Sequence, residues 1–277
     1  MTRLKLRQLK TQKKKRLDIL ISDRGLTESR EKARQLILAG AVSISGKTDL
    51  KPGQFFPLHT KIDIREAPKY VGRGGIKLEK VIQDFGFLVD GMVAIDVGAS
   101  TGGFTDCLLQ NGVKFVYAID VGYGQLAWKL RQDLRVGVME RTNIRQVSLT
   151  QFNLPIDIAV VDVSFISLRK VVPVVKDIIE PTGDILVLVK PQFEAGRGLV
   201  EKGGVVRDPN VHIDVLHGLI KFIMELGLFI MAISFSPIRG AAGNMEFFIW
   251  IKCDGINQQN WSDRVKLVVQ NAHFTLS

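Results

Sequence analysis

Three ionisable residues stand at the ends of strongly apolar runs, and a fourth lies on a helical pattern upstream of them. Asp162 closes Ile158 to Val161 in Val160-Val161-Asp162-Val163-Ser164-Phe165, and Lys190 closes Ile185 to Val189 in Leu188-Val189-Lys190-Pro191-Gln192-Phe193. Glu246 opens a third run in Gly243-Asn244-Met245-Glu246-Phe247-Phe248, and Lys77 sits on an upstream helical pattern with Leu78 and Val81. A lysine whose ammonium form is disfavoured by burial or by a neighbouring cation accepts a proton near neutral pH, and carboxylates orient it. Such a set can align a hydroxyl and remove or polarise its proton, as a hydroxyl requires because it is a poor nucleophile while protonated. Taken singly, each residue is the ordinary first solvated position after a buried run. Their meaning rests on convergence. If the runs before Asp162 and Lys190 are parallel strands, both residues face the carboxyl edge of the sheet, where open α/β folds hold ligands. A last strand running antiparallel begins at that same edge with Glu246, and Lys77 closes over the site from its helix.

A second constellation lies between them. The segment Asp96-Val97-Gly98-Ala99-Ser100-Thr101-Gly102-Gly103-Phe104-Thr105 runs from a strand into a helix, and its glycines let the backbone turn sharply and pass close to a ligand. The next strand ends in Ala118-Ile119-Asp120, which puts a carboxylate where it can accept hydrogen bonds from ribose hydroxyls. Nucleotide dehydrogenases and plain tight turns also produce glycine-rich turns, but Asp-x-Gly-x-x-x-Gly-Gly is spaced differently from the dinucleotide fingerprint, and no Gly-Lys-Ser/Thr follows to cradle a triphosphate. The segment resembles the S-adenosylmethionine-binding loop of Rossmann-like methyltransferases. That resemblance implies S-adenosyl-L-methionine as cofactor, held by Gly98, Ser100, Thr101, Gly102, Gly103, Phe104 and Asp120, with Asn143 completing the set.

The elements that must position these groups alternate along the chain. Strands are expected near Val93 to Val97, Phe115 to Asp120, Ile156 to Asp162, Asp184 to Lys190, Leu228 to Phe235 and Glu246 to Ile251, with helices or loops between them. The pattern predicts an α/β fold: a Rossmann-like, mostly parallel sheet covered on both faces. The last two strands are joined only by Ser236 to Asn244, which favours antiparallel pairing and one antiparallel edge strand. In front lies a small α+β module. Leu17, Leu20 and Ile21 fall at helical spacing, and Ser29 can cap a second helix carrying Ala33, Leu36 and Ile37 inward, which Gly40 ends. Val42 and Ile44 then lead into a turn at Ser45-Gly46. The basic residues of this module, Arg16, Arg24, Arg30, Lys32, Arg34 and Lys47, are its candidate RNA contacts. The order helix, loop, basic helix, hairpin resembles the small RNA-binding domain of ribosomal small-subunit protein four, a resemblance that implies recognition of RNA by shape and phosphate contacts. The expected divisions are a flexible basic tail over 1–15, the RNA-binding domain over 16–65, a glycine-rich linker and leading helix over 66–80, the methyltransferase domain over 81–253, and a C-terminal extension over 254–277.

Composition narrows the partners. The 277 residues carry a formal charge of +10, and eight basic residues between Arg3 and Arg16 stand without an acidic one, a cationic arm suited to a polyanion. Cys107 and Cys253 lie in apolar stretches without a CxxC or a histidine cluster, which argues against a metal site or a disulfide framework. No signal-peptide pattern follows the first charges, and the apolar stretch Val215 to Phe235 is interrupted by Lys221 and Glu225. A cytoplasmic protein without a membrane partner is expected.

Lys77, Asp162, Lys190 and Glu246 match the Lys-Asp-Lys-Glu tetrad of FtsJ/RrmJ-type ribose 2′-O-methyltransferases. Gly-Gly-x-Lys-Leu, Asp-Val-Ser-Phe-Ile-Ser, Lys-Pro-Gln-Phe-Glu and Gly-Asn-x-Glu-Phe-Phe, behind the small RNA-binding domain, resemble the TlyA family over roughly residues 16–253. The resemblance implies a ribosomal RNA 2′-O-methyltransferase acting on ribosomal RNA or a ribosomal subunit, in a family often labelled hemolysin. In it Lys190 is the base or hydroxyl-orienting group, Asp162 and Glu246 position it, and Lys77 holds substrate and tunes the lysine's charge. The long basic tail and the extension from Asp254 to Ser277, with Trp261 and a short helical pattern around Val265 to Val269, depart from the family pattern. Three other readings compete: a membrane-active hemolysin, which needs an inserting element; an RNA-binding assembly factor without catalysis, against which an intact tetrad and loop argue; and a small-molecule methyltransferase, which leaves the basic front module unexplained.

Overall fold

A computed structural model describes residues 13–38, 41–64, 68–255 and 260–277. Most of the expected basic tail (1–12) and the expected helix stop at Gly40 lie outside them. The chain divides into two compact units, residues 1–69 and 70–277.

In the first unit β1 (Lys14–Arg16) runs straight into α1 (Leu17–Asp23), followed by α2 (Arg30–Leu38), β2 (Val42–Ser43), β3 (Phe55–Pro57) and β4 (Asp63–Ile64). Lys14 and Lys15, expected in the tail, instead pair antiparallel with Pro57 and Phe56, because the backbone partner comes from a stretch too far along the chain for local pattern to show. Ser29 Oγ accepts the Lys32 N–H at 3.1 Å, the expected cap of α2. Ser45 and Gly46 both have positive φ (51° and 78°) and close the turn between Ile44 and Lys47. Leu17, Ile21, Ala33, Ile37, Val42 and Leu50 form the core of this unit.

The second unit is built on a seven-stranded sheet. Its elements are α3 (Arg73–Phe85), β5 (Val93–Val97), α4 (Gly103–Gln110), β6 (Phe115–Ile119), α5 (Trp128–Arg131), β7 (Val136–Met139), β8 (Ile158–Val161), α6 (Val172–Ile178), β9 (Asp184–Val189), α7 (Pro191–Glu194), α8 (Pro209–Glu225), β10 (Phe229–Phe235), β11 (Phe247–Lys252) and α9 (Trp261–Leu276). The strand order is β10-β11-β9-β8-β5-β6-β7. Strands β9, β8, β5, β6 and β7 are mutually parallel, and β11 runs antiparallel to both β9 and β10. The reversed strand thus lies one place in from the edge, with β10 outermost.

Alternation along each strand sends side chains to two cores. Ala94, Val160, Leu186, Leu188 and Phe248 face Leu78, Val81 and Ile82 of α3 and Leu108 of α4. Val97, Val161, Val187, Val189 and Phe247 face the side of α6, α8 and α9. Helix α8 opens with Pro209 at its first turn and with Asp208 accepting the Asn210 N–H at 2.8 Å, as Asp-Pro predicts. Among the described residues no helix is long and apolar enough to cross a membrane.

Two elements differ from expectation. Strand β7 is missing from the sequence reading because it is only four residues long and holds Gly137; a Cβ there would press on the rings of Phe115 and Tyr117 at 3.1 Å. The short helical pattern expected around Val265 to Val269 is a longer helix that belongs to the core: α9 buries Trp261, Val265, Val268, Val269 and Ala272 against the main core. Those residues follow the helical stripe i, i+4, i+7, i+8, i+11.

Candidate active site

Sheet register decides which groups meet. Phe247 pairs with Val189, so Glu246 and Lys190 stand at the same end of adjacent strands. Val161 pairs with both Val97 and Val187, which brings Asp162 level with Gly98 and one strand away from Lys190. Neighbouring strands lie about 4.8 Å apart. Period two also gives Asp96, Asp162, Lys190 and Glu246 the parity of Ala94, Val160, Leu188 and Phe248, the face covered by α3 and α4. Helix α3 is pressed onto α4 where glycines meet: a Cβ at Gly103 would stand 2.9 Å from Gly75 N and 3.1 Å from Gly74 Cα. This crossing carries Lys77 to the rim.

The four expected residues form two pairs. Lys77 Nζ donates to Glu246 Oε2 at 2.5 Å, and both residues are buried. Lys190 Nζ lies 2.6 Å from Asp162 Oδ1 as an ion pair and donates a hydrogen bond to Ser164 Oγ at 2.8 Å. One expectation is corrected. Glu246 is paired with Lys77 and not with Lys190, because α3 delivers a cation directly over it.

The glycine loop lies at the tip of β5. Gly98, Ser100 and Gly102 have φ of 89°, 49° and 92°. Gly98 is held by its N–H to Ile119 O at 2.9 Å, and a Cβ on it would come within 2.9 Å of the carbonyl carbon of Asp162. Asp120 Oδ2 accepts the Ser100 N–H at 2.8 Å and Oδ1 accepts the Gly122 N–H at 2.6 Å. Each oxygen keeps a second lone pair for a ligand hydroxyl. A cavity of about 430 Å³ opens here, lined by Gly98, Ser100, Asp120 and Asn143, with Val121, Ile144 and Phe165 among its apolar walls and Asp162 at its end. A smaller one of about 110 Å³ touches Thr101, Gly103 and Phe104, and shares Gly98, Ser100 and Asp162. Phe104 is otherwise a core residue, stacked on Phe248 at 6.2 Å. Gly102 lines neither cavity; a Cβ there would strike Leu126 at 2.8 Å, so this glycine admits close packing.

Sequence reasoning named neither Asp96 nor Ser164 as a site residue. Asp96 is fully buried beneath the loop, where Oδ2 accepts the Thr105 N–H at 2.9 Å and the Thr105 hydroxyl at 2.7 Å. Its Oδ1 has no hydrogen-bond partner among the described residues, and burial, aided by the charge of Asp162, pushes its pKa up to about 7 despite the Thr105 bonds. Position two residues before Gly98 on an inward-facing strand was the available signal. Phe165 is 90% exposed at φ 63°, with its ring 5.0 Å from that of Phe193.

In the first unit the basic residues separate into two groups. Arg16 donates through Nε and Nη2 to Asp18, each at 3.0 Å, and Arg30 Nε reaches the same carboxylate at 3.0 Å. Asp18 is 1% exposed, and these guanidinium groups hold its carboxyl below the usual range against the opposing effect of burial. Arg24 donates to the carbonyls of Thr60 and Leu58. Lys32, Arg34 and Lys47 are exposed, without a side-chain partner among the described residues.

A parallel sheet with one reversed strand, a glycine loop and two lysine–carboxylate pairs at one rim is the architecture of a methyltransferase, and the matches to known proteins agree. Residues 70–253 match the FtsJ-like methyltransferase model, and residues 15–55 match the S4 domain. YqxC of Bacillus subtilis, named as a candidate rRNA methyltransferase, is 48% identical over 272 residues, 96% of each chain. The 16S/23S rRNA (cytidine-2′-O)-methyltransferase TlyA of Mycobacterium tuberculosis is 41% identical over 86% of this chain and 89% of its own. A solved structure from Streptococcus thermophilus, named as a candidate hemolysin, has a TM-score of 0.74 at 42% identity, covering 95% of this chain and 97% of its own. The chain belongs to the TlyA family of FtsJ-like methyltransferases and carries an S4 domain at its front.

Proposed function

We propose that this protein transfers a methyl group from S-adenosyl-L-methionine to a ribose 2′-hydroxyl of ribosomal RNA, in the cytoplasm, with cytidine as the target nucleoside by likeness to the mycobacterial relative. The observation that carries this reading is the pairing of Lys190 with Asp162 and of Lys77 with Glu246 on the rim that also bears the glycine loop. The residues present suit the cofactor. Asp120 offers lone pairs to ribose hydroxyls, Val121, Ile144 and Phe165 offer apolar walls to an adenine, and the partnerless Asp96 Oδ1 beside the loop suits a ligand with an ammonium group.

S-adenosylmethionine, when bound, supplies an electrophilic sulfonium methyl. The protein's part is to align the acceptor and manage its proton. Lys190 holds the hydroxyl; it takes up the proton only in its neutral amine form, whose lone pair receives it as the oxygen attacks, and Asp162 then stabilises the ammonium so formed. Lys77, ion-paired with Glu246, keeps its ammonium fixed at the rim without solvent, as a pair with no net charge. Lys32, Arg34 and Lys47 of the S4 domain approach phosphates, a contact that fixes RNA in register without reading its bases.

Transfer of labelled methyl from S-adenosylmethionine to ribosomal RNA tests the proposal. Wild-type protein labels RNA and Lys190→Ala does not, with RNA affinity nearly intact in the variant. Label retained in both Lys190→Ala and Asp162→Ala would refute the assigned centre. The hemolysin names among relatives suggest lysis as a second reading, which the same Lys190→Ala variant separates: lysis by membrane insertion is indifferent to that substitution.

A further inference from the structure

Ser164 belongs to neither lysine–carboxylate pair, yet Lys190 Nζ donates to its Oγ at 2.8 Å. The two contacts of Lys190 differ in kind. Asp162 Oδ1 is 2.6 Å away but lies off the line of a hydrogen bond, so this contact supplies charge, whereas Ser164 supplies direction. The nitrogen of a lysine has four tetrahedral positions. Its own carbon fills one, and the hydrogen bond to Ser164 fixes a second and thereby orients the other two, one on the side of the Asp162 charge and one left for an incoming hydroxyl.

The loop that carries Ser164 is braced at both ends. Before it, the Asp162 N–H donates to Val97 O at 2.9 Å, and the Asp162 carbonyl is packed against Gly98. After it, Glu194 Oε2 accepts the Ser167 hydroxyl and Oε1 the Leu168 N–H, each at 2.7 Å, tying the loop to α7, which starts directly after Lys190. Phe165 holds a left-handed backbone conformation beside Ser164, and such strain persists only where the surroundings enforce it. A hydroxyl on a loop fixed to the same strand end as its lysine is a rigid reference point.

We propose that Ser164 is a positioning residue for the methyl transfer: its hydroxyl sets the direction of Lys190 Nζ so that the remaining position faces the target oxygen. This inference rests on the function proposed above. Ser164→Ala, Ser164→Thr and Lys190→Ala are compared by steady-state transfer from labelled S-adenosylmethionine to ribosomal RNA, with thermal melting of each variant. Misdirecting a reacting group by about 1 Å lowers rate by on the order of 10²-fold, so Ser164→Ala should lose on the order of 10- to 100-fold in kcat with KM for both substrates within about twofold. Ser164→Thr should recover most of the rate, because the hydroxyl is kept and the added methyl meets solvent at this exposed position. Wild-type kcat in Ser164→Ala alongside an inactive Lys190→Ala overturns the inference alone. Equal loss in Ser164→Ala and Ser164→Thr, expressed in KM for RNA, also overturns it and makes Ser164 an RNA contact. An active Lys190→Ala overturns the function beneath it.

Discussion

Gly98→Ala tests whether the glycine loop and the lysine pair are one mechanical unit. Gly98 has φ 89°, and an alanine Cβ would stand 2.9 Å from the carbonyl carbon of Asp162 and closer to its oxygen, where ordinary contact begins at 3.4 Å. Left-handed backbone costs a residue with a Cβ about 1–2 kcal/mol, and more where the substitution also collides with its surroundings. To relieve the collision the Asp162 peptide must retreat by on the order of 1 Å, which would pull its carboxylate off Lys190, now 2.6 Å away. The expected result is a fold destabilised by about 1–3 kcal/mol in urea unfolding, together with a kcat reduced on the order of 10²-fold. Both are measured on one preparation, with transfer assayed at a temperature where the variant is fully folded. A folded Gly98→Ala protein with wild-type kcat would refute the coupling between loop and pair.

Three further outcomes follow from the same geometry. Lys77→Met leaves Glu246 buried without its cation and should cost about 3–5 kcal/mol in urea unfolding, while the Lys77→Met/Glu246→Leu double variant regains much of that stability without regaining transfer; a loss below about 1 kcal/mol in the single variant would mean the pair behaves as an exposed one. Asp96 has a folded pKa of about 7 against 3.8 in the unfolded chain, so between these values the native state binds more protons and stability falls as pH rises, then levels off above about 7. Asp96→Asn should flatten that slope in melting temperature between pH 4 and 7, and an unchanged slope would remove Asp96 as its source. Alanine at Lys32, Arg34 and Lys47 should weaken RNA binding across sequences and reduce the slope of log affinity against log salt by roughly one for each phosphate no longer neutralised; Arg30→Ala, which strips a partner from buried Asp18, should instead show in the melting of the first unit.

Much of this site is legible in the chain. Asp162 and Lys190 end apolar runs, so parallel strands bring them to one rim, and reversal of the last strand brings Glu246 there too. The partner of each charge is not legible, because it depends on where α3 crosses the sheet, and that crossing is set by Gly74, Gly75 and Gly103 meeting at contact distance. For the same reason charge type and spacing did not distinguish Arg16 and Arg30, which serve Asp18, from Lys32, Arg34 and Lys47, which face solvent. Strand β7 lacks the length and alternation that local pattern needs, whereas the helical pattern of α9 is legible over Val265 to Val269 and only its full length and its place in the main core are not. Ser164 and Phe165 lie in a loop without periodicity, and their place in the site follows only from their approach to Lys190 and Phe193.

The central claim is that Lys190, held by Asp162, prepares a sugar oxygen for methylation. Nucleoside analysis of ribosomal RNA treated with the wild-type protein and with Lys190→Ala, each at saturating S-adenosylmethionine, addresses it most directly. The wild type should yield 2′-O-methylcytidine and the variant none. Methyl groups on a base, or the same 2′-O-methylated nucleoside from both proteins, would contradict it.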